Sequence, residues 1–387
     1  MIKALRGMKD IIEDKRFLKI FDTAREVAQS YGYSYIETPI LEETSLFKRS
    51  VGESSDIVNK EMYQFIDKGG NDVCLRPEGT AGVVRSFIEH KFDRQGVPKR
   101  FWYFGPMFRY ERPQKGRLRE FHQFGIESFG EASVYEDINV IALAADIFDR
   151  LGITYTLKIN SLGCSECMPS YKEKLTKFLN ENKENLCEDC QRRINQNPIR
   201  TLDCKNQNCQ SILKDAPKIT DNLCESCKND FEELKKGLDN LGIKYEVDKH
   251  LVRGLDYYTK TTFEFISDEI GAQSAIAGGG RYDRLVEFLG GKPTPAVGFA
   301  IGIERIMDLV DIKDKRDGIY MGAMIKEAIP FIQKKAKELR KDTKVFVEVK
   351  PKSLKAHLKA ADKGNFKKAL IVGEDELKTG KFFEKEL

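Results

Sequence analysis

Eight of the nine cysteines fall within 64 residues as four pairs: Cys164/Cys167, Cys187/Cys190, Cys204/Cys209 and Cys224/Cys227. Three pairs are C-x-x-C and one is C-x-x-x-x-C. Such spacing can turn both sulfurs toward one ion, and two pairs complete a tetrahedral thiolate site, which suits zinc. Four pairs make two sites in three combinations, among which spacing does not choose. The competing readings are thioredoxin-like redox pairs and incidental small buried residues. No βαβ pattern surrounds the pairs, and four of them in one cluster argue against incidence. With only cysteine ligands and no open position, one or two structural zinc ions are expected. Disulfides are not expected, because the charged N-terminus has no apolar signal segment and reads as cytoplasmic. Cys74 stands alone in an expected strand. Four histidines are too few for a His-built metal centre.

A second set of residues is cationic. Arg76-Pro77-Glu78-Gly79-Thr80 closes a strand with a turn. Phe108-Arg109-Tyr110-Glu111 is followed by a loop carrying Arg112, Gln114, Lys115, Arg117 and Arg119, and then by Phe121-His122-Gln123. Two strands joined by a cationic loop make a phosphate cradle, because a bidentate arginine holds an oxygen pair where lysine acts as a point charge. A solvated loop is the competing reading. Arg253-Gly254-Leu255-Asp256-Tyr257-Tyr258 joins a cation to paired aromatics, or is an ordinary Arg–Asp pair at a turn. Gly302-Ile303-Glu304-Arg305 sets an arginine in the first turn of a helix, the unfavourable end of the dipole. It therefore needs an anion, either Glu304 or a bound phosphate. Gly278-Gly279-Gly280 reads as a tight turn and fits no dinucleotide or P-loop pattern.

The elements that must hold these residues follow from periodicity. Phe17, Phe21, Ala24, Ala28 and Tyr31 recur at helical spacing, with Gly32 as a stop. Residues 35–41 read as a strand interrupted by Pro39, suited to an edge or an interface. Strands are expected over 73–75, 100–110, 121–130, 243–247 and 261–266. Ser133-x-x-Glu136 is a capping box opening a helix that ends at Gly152. A turn-rich stretch covers 278–283, and a strand over 296–301 leads into a helix over 303–310. With 387 residues, 41% of them hydrophobic, two or three domains are expected. The 65 basic and 61 acidic residues exclude charge-driven disorder and a histone-like protein. No apolar run is long enough for a membrane span. Residues 317–387 hold 17 Lys and Arg against 11 Asp and Glu, while the rest holds 48 against 50. That asymmetry suits a polyanion partner or a solvated lysine-rich helix face.

Thr38-Pro39-Ile40-Leu41-Glu42, Phe108-Arg109-Tyr110-Glu111 and Gly302-Ile303-Glu304-Arg305, in that order, resemble the three motifs of class II aminoacyl-tRNA synthetases. Residues 76–80, 121–123, 251–258 and 278–283 resemble the histidyl-tRNA synthetases in particular. The resemblance is dense over 1–163 and 236–310 and looser beyond. It implies an α+β fold: an antiparallel sheet flanked by helices in a catalytic domain at 1–163 and 236–312. A Cys-rich insertion domain would occupy 164–235, and a short basic α/β anticodon-binding domain 317–387. The last, at 71 residues, is shorter than is usual in the family and stops before the family's expected end.

The implied reaction joins L-histidine and Mg2+-bound ATP into histidyl-adenylate, then moves the histidyl group to tRNA(His). By that resemblance Arg109 and Arg305 grip the phosphates, Glu111 holds the adenine end, and Arg253 is the catalytic cation at the α-phosphate. Glu78 and Gln123 take the substrate amino group. Glu127 and Tyr258 read the imidazole, with Thr80, Tyr257 and Tyr282 in the same pocket. Arg112, Gln114 and Arg117 approach the tRNA acceptor end. A homodimer through the N-terminal helix and the Pro39 segment is also implied. The alternatives are a non-catalytic paralogue, such as the regulatory subunit of ATP phosphoribosyltransferase, and a synthetase-like RNA-binding sensor.

Overall fold

The computed structural model describes residues 2–387 except 53, 54, 56, 97, 115, 205, 253–256, 271–274, 313 and 314. The chain divides into two compact units, Met1–Asp311 and Ile312–Leu387. The first is built on an eight-stranded sheet. Its strands lie in the order Ser34–Tyr35, Lys99–Phe108, Glu120–Phe129, Ala296–Gly302, Ala275–Arg281, Thr259–Ile266, Thr156–Ser161 and Glu246–Val247. The six inner strands are antiparallel to one another. Each edge is closed by a two-residue parallel strand, so the expected antiparallel sheet is mixed at its margins. The expected strand over 243–247 shortens to Glu246–Val247.

Proline splits the segment at 35–41 as anticipated. Ser34–Tyr35 pairs at the edge of the large sheet, and Leu41–Glu43 joins a separate three-stranded sheet with Asp72–Leu75 and Tyr63–Ile66. Arg76 ties the two together. Its buried guanidinium donates to the Thr38 carbonyl at 2.8 Å and the Pro106 carbonyl at 2.9 Å.

The triple glycine is not a turn. Gly278, Gly279 and Gly280 lie inside the strand Ala275–Arg281, near the middle of the sheet. A Cβ at Gly279 would fall 2.2 Å from the Gly298 carbonyl and 2.6 Å from Phe299 Cβ. Glycine is required here by the close approach of the neighbouring strand, not by chain reversal. Spacing in sequence carries no sign of that neighbour.

The helix Val134–Leu151 starts at Ser133, whose hydroxyl accepts from Tyr135 N at 3.3 Å, and stops at Gly152 in the left-handed region, φ +71°. The expected reciprocal bond from Glu136 is missing. That carboxylate instead accepts from Arg100 at two positions, both at 2.8 Å, and from Ser128. A charged partner on a strand outcompetes a single backbone amide. The next residue, Asp137, meets Arg281, both about 1% exposed. Arg281 also donates to the Glu131 carbonyl at 2.9 Å, the Ser133 carbonyl at 3.0 Å and Asp283 at 3.1 Å. This network pins the start of the helix to the end of a central strand. The expected helix over 303–310 is one α-turn, Ile303–Ile306, continued by a tighter turn, Met307–Leu309.

Between Thr156–Ser161 and Glu246–Val247 lie the helices Cys167–Glu181, Glu188–Gln196, Gln207–Leu213 and Glu225–Asn240. Tyr171, Leu175, Leu179, Ile194 and Leu213 form their core together with the cysteines. The expected boundary at 235 falls inside the last of these helices, which packs along Val134–Leu151.

The second unit has three parallel strands, Val345–Glu348, Ile319–Ala323 and Lys368–Val372, and an antiparallel edge, Phe383–Glu386. Its helices include Ile329–Leu339 and Leu354–Lys363. His357 is fully buried there, with Nε2 2.9 Å from the Ala323 carbonyl and Nδ1 2.9 Å from Tyr320 Oη. A carbonyl only accepts, so Nε2 carries the proton and Nδ1 accepts from the tyrosine. Burial lowers the pKa of this ring and favours its neutral form.

Replacing Arg281 by alanine leaves Asp137 buried and unpaired. Urea unfolding of Arg281→Ala is expected to show a loss of about 3–5 kcal/mol. A loss below about 1 kcal/mol, the range of an exposed pair, would contradict the account.

Candidate functional site

A cleft of about 1060 Å³ opens on the sheet between the strands Glu120–Phe129, Ala296–Gly302 and Ala275–Arg281. One end is acidic and aromatic. Glu127 is 1% exposed, accepts from the Thr80 hydroxyl at 2.7 Å and from the Tyr282 hydroxyl, and lines the cleft. Burial pushes its carboxyl up to about 8, against the pull of those two hydroxyls. A Cβ at residue 298 would lie 2.0 Å from Glu127 Oε2, so Gly298 on the neighbouring strand leaves the space this carboxylate occupies.

Glu78, also buried, accepts from Thr80 N at 2.6 Å and Ala81 N at 2.9 Å at the start of the helix Thr80–Glu89. Burial raises its pKa, and the two amides partly offset this. Tyr257 and Tyr258 form the adjoining wall, with ring centroids 4.7 Å apart. Tyr103 Oη and Gln123 Oε1 are buried here without a hydrogen-bond partner among the described residues. Two orphaned polar atoms beside two buried carboxylates call for a polar ligand.

The other end is cationic. Arg109 donates from Nε to the Pro77 carbonyl at 2.8 Å and lies over the Phe121 ring at 5.3 Å. Arg305 donates to the carbonyls of Gly116 at 3.2 Å and Ala275 at 2.9 Å. Burial lowers the Arg305 pKa, and the nearby Arg109 and Arg117 lower it further. Three guanidiniums facing one space repel each other, and an anion with several charges relieves that. Glu304 does not supply it. Its carboxylate accepts from His122 N at 2.9 Å and pairs with His122 Nδ1 at 2.8 Å. Of the two anions expected for Arg305, Glu304 is thus excluded, and the carboxylates in its field are those of Glu111 and Glu264.

The other expected residues divide. Glu111 lines the cleft and pairs with Arg117 at 3.0 Å. Arg112 and Gln114 are exposed on the loop outside the cleft lining. Gln114 closes a tight turn with Arg117, whose amide donates to its carbonyl at 2.9 Å. Tyr282 stands behind Glu127 rather than on the cleft wall. Arg253, with Gly254, Leu255 and Asp256, lies outside the described residues. Sequence reading missed Tyr103 and Glu264, both on the cleft wall. Alternation along their strands marks them as inward-facing, but nothing local distinguishes them from core.

The cysteines resolve into one of the three combinations: Cys164, Cys167, Cys224 and Cys227 in one group, and Cys187, Cys190, Cys204 and Cys209 in the other. Within each, all sulfurs lie within 4.8 Å of one another. Sγ separations of 3.7 Å for Cys164–Cys167, 3.8 Å for Cys164–Cys224 and 3.8 Å for Cys187–Cys204 match the edge of a zinc–thiolate tetrahedron. That edge is about 3.8 Å for a zinc–sulfur bond of about 2.3 Å. Backbone amides support the sulfurs, Cys224 N donating to Cys167 Sγ at 3.1 Å and Cys187 N to Cys209 Sγ at 3.2 Å. Cys74 is separate and buried, its thiol pushed up to about 11 by burial, which leaves it inert.

Among known proteins, the family model described as Histidyl-tRNA synthetase matches residues 11–306. A histidine–tRNA ligase of Sulfurovum sp. (strain NBC37-1) is 65% identical over 390 residues, covering 100% of this chain and 97% of that relative. The crystal structure of apo Staphylococcus aureus histidyl-tRNA synthetase aligns with a TM-score of 0.81 and 35% identity, over 100% of this chain and 97% of that one. A Bacillus halodurans structure, described as an ATP phosphoribosyltransferase regulatory subunit/histidyl-tRNA synthetase, aligns at TM-score 0.69 over 96% of this chain and 98% of that one. At 22% identity it shows the fold alone.

Glu127 makes a pH prediction. The folded chain holds a proton there up to about pH 8, whereas an unfolded glutamate releases it above about 4.3. The stability from this group is complete below the lower value and is lost as pH rises through the upper one. Urea unfolding of the ligand-free protein from about pH 5 to about pH 8 should show that decline, and Glu127→Gln should flatten it. Equal slopes for the two proteins would contradict the assignment.

Proposed function

The chain belongs to the histidyl-tRNA synthetase family, and on that premise we propose that it activates histidine with ATP and transfers it to the 3′ end of tRNA(His). One observation carries the reading. A single cleft joins a buried carboxylate and tyrosines at one end to three arginines at the other. An amino acid with a nitrogenous ring suits the first end, and a polyphosphate suits the second.

Glu127 accepts from one imidazole nitrogen while Tyr258 meets the other. Tyr282 and Thr80 orient the Glu127 carboxylate, and Tyr257 walls the pocket. Glu78 and Gln123 take the α-amino group. In the first step a histidine carboxylate oxygen attacks the α-phosphorus of ATP and pyrophosphate leaves. Arg109 and Arg305, held by backbone carbonyls, match the charge on the phosphates without reorganising. Glu111 holds the adenine end. Glu264, a cleft carboxylate in the field of Arg305, would hold Mg2+ brought with ATP, which would supply screening of the phosphate charge. Arg253 acts at the α-phosphate. In the second step a terminal ribose hydroxyl attacks the histidyl carbonyl and AMP leaves. The exposed Arg112 and Gln114, with Arg117, meet the acceptor end.

Each cysteine group would hold one structural zinc ion, and the basic residues of 317–387 meet the anticodon end of the tRNA. The protein works as a homodimer in the cytoplasm. Leu18, Tyr35, Ile40 and Leu41, all 42–60% exposed, supply apolar area near the edge strand Ser34–Tyr35 for that contact. No helix among the described residues is long and apolar enough to cross a membrane.

Histidine-dependent ATP–pyrophosphate exchange, with Mg2+ and no tRNA, tests the first step. Exchange with histidine alone among amino acids is expected. No exchange from folded protein that still binds histidine would turn the reading to a non-catalytic paralogue. Arg253→Ala should lower the rate of adenylate formation by about 10²-fold. A near-normal pre-steady-state rate would remove that residue from the mechanism. Metal analysis of chelator-free protein should give about two zinc per chain. Less than about half an equivalent would remove the zinc.

A further inference from the structure

The two cysteine groups are placed differently. Cys187, Cys190, Cys204 and Cys209 join helices and turns within the segment between Thr156–Ser161 and Glu246–Val247. Cys164 instead follows the strand Thr156–Ser161 after two residues, and Cys224 and Cys227 open the helix Glu225–Asn240. This first group therefore sits where the cysteine-bearing segment leaves the catalytic sheet.

One residue links that junction to the amino-acid pocket. Lys260 N donates to the Gly163 carbonyl at 2.7 Å, and Leu162 N donates to the Lys260 carbonyl at 2.7 Å. Lys260 Nζ pairs with Asp230 at 3.0 Å, on the helix that Cys224 and Cys227 begin. Its backbone lies in the left-handed region, φ +48°, which a non-glycine residue seldom adopts. The register breaks at the same point: Gly280 pairs with Thr262, but Arg281 pairs with Thr259. Lys260 and Thr261 thus bulge from the ladder with Ala275–Arg281 while Thr261 stays in register with Ser161 on the other side, and a bulge re-aims the chain beside it. That chain is Tyr257–Tyr258, the wall of the amino-acid pocket. A second cleft of about 1000 Å³ lies on the other side of the tyrosine pair, with Gly163, Cys164 and Met168 in its lining. Tyr257 is itself buried against Tyr282, ring centroids 5.6 Å apart, and Tyr258 packs on Tyr257, so the pair is set by that packing together with the backbone that carries it.

We propose that the metal centre of Cys164, Cys167, Cys224 and Cys227 positions the tyrosine wall of the amino-acid pocket through Lys260. This rests on the zinc reading above. The metal fixes the Gly163–Cys164 turn and the start of the helix bearing Asp230. Both grip Lys260, which holds the bulge and hence Tyr257 and Tyr258. Lys260 is a positioning residue, and the centre is structural for the fold but specific in what it orders.

The test uses the full chain with its bound metal, read by pyrophosphate exchange and zinc content. Lys260→Ala should raise the KM for histidine about tenfold, with the KM for ATP and the zinc content unchanged. Lys260→Arg, which keeps the pair with Asp230, should restore most of it. Lys249→Ala removes an exposed pair with Asp221 between the same two parts of the chain and should leave the histidine KM unchanged. Cys227→Ser should carry one zinc fewer than the parent and show the same histidine-specific rise. Should that variant fail to fold, the Lys260 series decides alone. Zinc present in the parent but an unchanged histidine KM in Lys260→Ala would overturn the coupling. An equal rise in both KM values would overturn it too. Absence of zinc from the parent would overturn the metal reading itself, a result distinct from these.

Discussion

A carboxylate at the floor of a cavity in a β-sheet is an expensive group to bury, and much of the first unit is arranged around Glu127. The neighbouring strand must leave room, which Gly298 does by having no side chain. The carboxylate must be hydrogen-bonded in either protonation state, which the Thr80 and Tyr282 hydroxyls provide. Thr80 reaches it only because the helix Thr80–Glu89 begins at the sheet, and Glu78 holds that beginning by accepting two of its amides. Tyr282 reaches it only because the strand before it is pinned at Arg281 to the helix Val134–Leu151. The site thus depends on contacts between strands and helices far apart in the chain.

The cationic end solves the opposite problem. Arg109, Arg117 and Arg305 would separate if their side chains were free. Carbonyls of Pro77, Gly116 and Ala275 hold two of them and Glu111 pairs with the third, so the three charges stay together in the cleft. Arg305 follows Glu304, whose carboxylate is committed to His122. The pairing that would neutralise the arginine locally is thereby removed, and its guanidinium stays on the cleft wall. Preorganised charge of this kind lowers a barrier because nothing has to reorient when charge shifts in the transition state.

Cysteine use has a parallel logic. The helical segment builds its core from side chains such as Tyr171, Leu175, Leu179 and Ile194 together with the cysteines, which gather in two four-sulfur groups. The two are not interchangeable. One closes the segment on itself, and the other stands at the hinge with the sheet, next to a bulged strand that carries part of the pocket.

What the sequence determined by itself was whatever neighbours along the chain decide. The 3.6-residue period gave the helix Lys15–Ser30, with Gly32 after it, and alternation gave the long hairpin strands. Paired cysteines announced thiolate sites, and the strings around Arg109, Tyr258 and Arg305 announced a family and its pocket. Contacts across the chain were left to the tertiary structure. The choice among three cysteine combinations was decided by how helices 60 residues apart pack. Glu136 looked like a cap because its spacing from Ser133 is right, yet Arg100, 36 residues away, takes it. The triple glycine looked like a turn because the strand that crowds it lies elsewhere in the sequence. Alternation gave Tyr103 and Glu264 a face of their strands but not a place on the cleft wall, since what sets them there is the register of strands. Local periodicity records which face of an element is buried. It does not record what that face meets, and the chemistry of this cleft resides in what it meets.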